Sequence, residues 1–192
     1  RAKIEELTQH NGDSLSITLK PTQHWQAHIA GQHISLTVEI NGRLLTRVFT
    51  VASSPEQFKA TGLVRLLIKT NEQGRFTSLL SNALRVGEWC NISAPSGDFV
   101  YKNTQNNATF IAGGSGITPM LAMISEHLKH TTQKVSLIYY AKAPAHQCVE
   151  ELSALANQFS HFSFLLLTRE QSDDITRHVN VWENPDIYCC GP

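Results

Sequence analysis

The chain has 192 residues and 21.4 kDa, room for one large domain or two small ones, with 41% apolar and 17% charged residues. That composition supports a packed core and excludes disordered, collagen-like and low-complexity chains. Sixteen basic side chains balance sixteen acidic ones, which leaves no overall basic field for nucleic acid or an anionic membrane, and apolar runs fall far short of the roughly 20 residues of a membrane span.

The first half reads as short strands. Ile4 to Leu7 leads to Ser14-Leu15-Ser16-Ile17-Thr18-Leu19, which alternates apolar and polar residues with period two. The next alternating run, 33–40, is joined by Asn41-Gly42 to a strand over 43–51. An Asn-Gly pair between two such runs is a strong hairpin signal, because both turn residues need positive φ. Further strands are expected over 63–69, 89–93 and 99–101, with one helix over 76–84. Short strands separated by turn signals predict a small antiparallel barrel.

The polar stretch 102–107 marks a boundary, after which the rhythm changes. Apolar strands over 108–112, 135–141, 162–168 and 186–190 alternate with helical patterns over 119–129 and 148–159, and with a weaker helix near 173–179. Alternating strands and helices predict βαβ units and a parallel sheet. The expected organisation is therefore an antiparallel β-barrel over 1–104 and an α/β domain over 105–192. Residues 1–104 hold eleven basic and eight acidic side chains, and residues 105–192 hold five and eight. The excess on the first half suits an anionic cofactor or an acidic partner, although so small an imbalance also arises by chance.

Between strand and helix, Gly113-Gly114-Ser115-Gly116-Ile117-Thr118-Pro119 places glycines before a helix start, with Thr118 a candidate N-cap and Pro119 a good first helical residue. Such a turn brings backbone N–H groups and a helix N-terminus to a phosphate, or is an ordinary tight turn. A P-loop is excluded because no Gly-Lys-Ser/Thr follows, and Pro119 stands where the dinucleotide fingerprint has its third glycine.

Several motifs in order carry a family resemblance. Arg47-Val48-Phe49-Thr50-Val51-Ala52-Ser53 is similar to the flavin motif of the ferredoxin–NADP reductase superfamily. Gly74-Arg75-Phe76-Thr77-Ser78-Leu79-Leu80, Pro95-Ser96-Gly97-Asp98-Phe99, the glycine turn and Cys190-Gly191-Pro192 resemble its later motifs. Ala30-Gly31-Gln32 ahead of the hairpin most resembles reductases that carry a ferredoxin domain, some of which serve desaturases or oxygenases.

The resemblance implies a flavin-dependent NAD(P)H oxidoreductase, with a Greek-key flavin barrel and a nucleotide-binding α/β domain. Hydride would pass from nicotinamide to flavin, and single electrons then to an iron–sulfur or haem acceptor. FAD is the implied flavin and FMN the other choice; NADPH is the implied donor and NADH the other. Arg47 would hold the flavin phosphate, Phe49 lie against the ring and Thr50 stand near its N5. Ser53 is a further contact, unless it or Ser54 caps a turn. Gly74, Thr77 and Ser78 would bind phosphate at a helix start, where hydroxyls also serve as N-caps. Lys69 is a weaker candidate, a solvated strand end being as good a reading. Gly113, Gly114, Gly116 and Thr118 would bind the nicotinamide nucleotide.

Thr168 and Arg169 resemble the segment that holds a 2′-phosphate, with Asp173 and Asp174 opposing it. Cys190 would stand beside the nicotinamide, whereas Cys189 reads as core. His33 replaces an aromatic residue, with no role assigned. The histidine pairs His24/His28 and His127/His130 lack a third ligand, so no metal is expected. Cys90, Cys148, Cys189 and Cys190 contain neither a disulfide framework nor the spacing for a plant-type cluster. A 2Fe–2S centre is therefore expected only in a ferredoxin-type domain or partner outside this chain. The relatives continue beyond Cys-Gly-Pro, so the chain is expected to be the reductase portion of a longer, cytoplasmic protein. The alternative is a nucleotide-binding or electron-transfer subunit without turnover of its own.

Overall fold

The alternating segments at the start form β1 (Ala2–His10) and β2 (Ser14–Pro21), paired antiparallel with an irregularity between Ile4 and Glu6. The computed structural model describes residues 1–10, 14–70, 77–142, 146–168, 175–179, 182 and 184–192, apart from the side chains of Ser78, Ser81 and Thr176. These fall into two units, Arg1–Val100 and Tyr101–Pro192.

In the first unit, Asn41 and Gly42 take φ of 52° and 73°, as a two-residue hairpin turn requires. They join β3 (His33–Ile40) to β4 (Arg43–Thr50) with Ile40 opposite Arg43 and His33 opposite Thr50. Helix α1 (Pro55–Thr61), β5 (Val64–Lys69), α2 (Thr77–Ala83) and β6 (Trp89–Ile92) follow. The strand order is β4-β3-β6-β1-β2-β5. The outer strands meet at one bridge, between Val51 and Leu66, so the sheet has no closing ladder. Its inner face and α2 build the core: Ile4, Ile17, Leu19, Ile34, Leu36, Leu66 and Ile68 of the sheet and Leu80 of α2 are each at most 1% exposed. Each such side chain contributes roughly 1.5–3 kcal/mol through burial.

Two expectations fail in this unit. Helix α1 stands where no helix was expected. Ser54 caps it through a reciprocal box, its Oγ accepting from the Gln57 amide while the Gln57 side chain accepts from the Ser54 amide. No strand forms over 99–101. Ser96 makes the last bridge to His33, and Gly97, at φ +112°, then turns the chain out of the ladder.

The second unit is a parallel sheet of order β10-β7-β8-β9, built from β7 (Ala108–Gly113), β8 (Val135–Ala141), β9 (Phe162–Thr168) and β10 (Asp186–Cys190). Helix α3 (Ile117–His130) connects β7 to β8, and α4 (Val149–Gln158) connects β8 to β9. The weak helix near 173–179 is a single 3-10 turn, Ile175–Arg177, and Asp173 and Asp174 lie outside the described residues. Phe110 of β7 is stacked on Tyr188 of β10 at 4.9 Å, locking the edge strand onto the sheet. Among the described residues no helix is long and apolar enough to cross a membrane.

Candidate functional site

In the first unit the candidate residues cluster on β4. Directly opposed residues of an antiparallel pair share a face, so Arg47 opposite Leu36 sits at a core-facing register position. Its neighbours on that face, Leu45 and Phe49, pack against the core. Arg47 is nevertheless exposed, and its Nη1 donates to the Thr46 carbonyl at 2.7 Å. A guanidinium on the inner face of an edge strand suits an anion laid across the open rim, where charge-assisted bonds are strongest.

Phe49 lies opposite the buried Ile34, and its half-buried ring is part of the core packing. Thr50 lies opposite His33 and is half-buried. Ser53 is buried; its Oγ accepts from the Arg65 amide at 3.0 Å, and its carbonyl accepts from His28 Nε2 at 2.9 Å. Ser54, not Ser53, is the helix cap. Lys69 is the exposed last residue of β5, opposite Ser14. Thr77 and Ser78 open α2, whereas Gly74 lies outside the described residues.

His33 joins this group as a residue the sequence reading left without a role. Its Nε2 lies 3.3 Å from Ser96 Oγ, and a Cβ on Gly97 would come within 2.8 Å of its ring. The Pro-Ser-Gly turn is therefore fitted to this imidazole. The available signal was a histidine opening a strand together with a later Pro-x-Gly.

In the second unit β7 runs into a 3-10 turn, Gly114–Gly116, and then α3. The glycines have different tasks. A Cβ on Gly116 would overlap the Cys190 carbonyl, its carbon at 2.5 Å, and Gly191 packs against Gly113 in the same way. These three glycines let the end of β10 cross the turn backbone to backbone. Only Gly114, at φ +52°, has open space around its Cβ position, so it alone leaves room for a ligand. Thr118 is not the N-cap. The helix starts at Ile117, and the buried Thr118 Oγ1 donates back to the Ser115 carbonyl at 2.9 Å.

Cys190 ends β10 half-buried, and burial, with Cys189 adding to it, holds its thiol above the ordinary 9.0. It is a neutral, polarizable group rather than a thiolate. Cys189 is exposed and not core, because β10 is an edge strand whose face carrying Ile187 and Cys189 is open. Thr168 ends β9, and Arg169 lies outside the described residues.

Residues 2–101 match the family model of the oxidoreductase FAD-binding domain, and residues 110–192 that of the oxidoreductase NAD-binding domain. The chain is 38% identical to an NADH-cytochrome b5 reductase 1 of Cryptococcus neoformans over 112 residues, covering 57% of this chain and 37% of the relative. It is 27% identical to an NADPH oxidoreductase of Mycobacterium tuberculosis over 204 residues, covering all of this chain and 53% of the relative. The chain thus spans about half or less of these relatives' length. Among solved structures, the FAD/NAD-binding domain of a Vibrio cholerae nitric oxide dioxygenase superposes with a TM-score of 0.86 at 23% identity, a likeness of fold that covers 100% of this chain and 86% of that one.

An antiparallel unit followed by a parallel unit with a glycine-lined strand–helix junction defines the class of two-domain flavin- and nicotinamide-nucleotide oxidoreductases. The chain belongs to the oxidoreductase FAD-binding domain family.

Proposed function

We propose that this chain is the reductase portion of an NAD(P)H-dependent flavoprotein, with FAD on residues 1–104 and the nicotinamide nucleotide on residues 105–192. The observation that carries this reading is the succession, in one chain, of the FAD-binding match over 2–101 and the NAD-binding match over 110–192. The residues fit an anionic dinucleotide: a cation is exposed at a core-facing position of β4, and Gly114, with open space at its Cβ position, lies at a helix start.

When bound, flavin supplies the redox chemistry, accepting hydride from reduced nicotinamide and giving single electrons to an acceptor. Arg47 neutralises the flavin phosphate, aided by Lys69, Gly74, Thr77 and Ser78. Phe49 and Thr50 border the flavin ring, and Ser53 braces the strand end behind them. Gly113, Gly114, Gly116 and Thr118 form the bed of the nicotinamide nucleotide, and Thr168 and Arg169 select its ribose phosphate. Cys190 keeps the space beside the nicotinamide small and uncharged.

The acceptor is a haem or iron–sulfur protein. The name of the Cryptococcus relative favours a cytochrome b5-type haem, and the resemblance to reductases with ferredoxin domains favours the cluster. The excess of basic residues over 1–104 makes that half the docking face for an acidic acceptor, so turnover falls as salt rises.

The experiment is optical. Protein purified with FAD should be yellow and bleach when NADPH or NADH is added without oxygen. Ferricyanide, cytochrome b5 and ferredoxin are then compared as acceptors. A colourless protein that still binds nucleotide would replace this reading by that of a binding subunit.

A further inference from the structure

One group of buried polar atoms lies away from every residue assigned above. His127, near the C-terminal end of α3, is 1% exposed, and neither ring nitrogen has a hydrogen-bond partner among the described residues. A neutral imidazole always carries one N–H, so this burial leaves a donor and an acceptor unsatisfied. Tyr101 Oη and His161 Nε2 are buried and unpartnered too. Native structures seldom keep such a concentration without a role.

The surroundings are specific. Tyr101 meets His127 edge-on at 5.5 Å and 81° and faces Tyr188, Asp186 and Glu126. Asp186, which opens β10, and His161, just ahead of β9, act on the His127 ring through their charges. Asp186 is itself engaged, accepting from Thr104 Oγ1, and the Lys102 amide donates to Tyr188 Oη at 3.1 Å. The segment 101–104 is thus stitched to the start of β10, directly beside a histidine that has no partner. Among the described residues β10 pairs with β7 alone. As an edge strand it is released at less cost than the inner strands β7 and β8.

We propose that His127 is an acid-sensitive latch: a proton taken up from solvent by its ring places a charge in this buried site, and β10, whose first residue Asp186 borders it, loosens from the edge of the sheet so that water reaches the ring. The end of β10 supplies the Cys190–Gly191 backbone that lies on Gly116 and Gly113, so release at its start also opens the glycine turn at the other end of the unit.

The direction follows from the environment. Burial outweighs the attraction of Asp186 and holds the His127 pKa near 4, against an ordinary 6.5. The latch is therefore fully closed above pH 6.5 and opens as the pH falls toward 4.

The test is amide hydrogen exchange on the full chain between pH 7 and 4.5, corrected for intrinsic rates, with the His127 ring followed by NMR. Protection of the β10 amides should fall roughly tenfold or more on acidification while that of β8 is kept, and the drop should be absent in His127→Phe. An equal drop in His127→Phe, a flat wild-type profile, or a ring titrating near 6.5 would overturn the proposal. If His127→Phe does not fold, Asp186→Asn decides, since it keeps a side chain for Thr104 but removes the charge that partly offsets a buried imidazolium. Protection of the β10 amides at pH 4 should then fall further than in the wild type, and an unchanged loss would refute the latch.

Discussion

Gly116 and Cys190 are in backbone contact: a single methyl group on the glycine would overlap the carbonyl of the cysteine. The end of β10 and the start of α3 are thereby one joint, and the glycine turn owes its shape to it. Replacing Gly116 by Ala drives a Cβ into backbone, which cannot rotate away. Overpacking of this kind costs about 1–3 kcal/mol, and denaturant unfolding should show a loss of that size. Gly114→Ala meets only open space, so its cost is the strain at positive φ, roughly 1 kcal/mol, while nucleotide affinity falls. Equal effects of the two substitutions on stability would contradict this division of labour.

Arg47→Ala should leave folding intact, because the side chain is exposed and its Nη1 bonds to the adjacent Thr46 carbonyl. Flavin affinity should fall tenfold or more, since hydrogen bonds to charged groups contribute roughly 1.5–3 kcal/mol. Fluorescence titration of the apoprotein with FAD measures it, and an unchanged dissociation constant with native circular dichroism would remove Arg47 from the site.

Cys190→Ala should slow flavin reduction more than it weakens nucleotide binding, because placement errors of about 1 Å cost on the order of a hundredfold in rate. The thiol lies above its ordinary 9.0, so it stays protonated through neutral pH, and the reduction rate should show no limb from this group below pH 9. Stopped-flow reduction at the wild-type rate would leave Cys190 a packing residue.

NADPH should be the better donor. Thr168 ends β9 directly before Arg169, a pair that resembles a segment holding a 2′-phosphate, and Asp173 and Asp174 oppose it in the sequence. Comparison of kcat/KM for the two cofactors decides. A higher value with NADH would reverse the assignment.

Ser54→Ala should destabilise the first unit by about 1 kcal/mol, the usual loss for a missing helix cap. Thermal unfolding measures it, and no change would mean that Pro55 alone starts the helix.

Local signals made much of the fold legible. Asn41-Gly42 announced the hairpin because few other pairs accept two positive φ values, and the change from period two to alternating strands and helices announced the parallel unit. Helix α1 was hidden because its cap, Ser54-Pro55-Glu56-Gln57, follows directly on the flavin motif, and a seven-residue helix shows little periodicity. The site was half legible. Sequence identified the glycines around 113–116 but not which serve packing, since the partners of Gly116 and Gly113 come from the far end of the chain. Cys189 was misread because alternation says which residues share a face, and not which face is covered.

The imidazole of His33 also has a bearing on how the chain finds its register. Slipping β3 by one residue against β4 would turn Ile34, Leu36 and Val38 outward and send His33 toward the core. The Asn41-Gly42 turn already resists such a slip, and the slipped form would also vacate the space that Gly97 keeps for the ring and break the bond to Ser96. A contact made outside the hairpin thus adds to the cost of the slipped register, and loss of the His33 side chain should appear first as heterogeneity among refolded molecules.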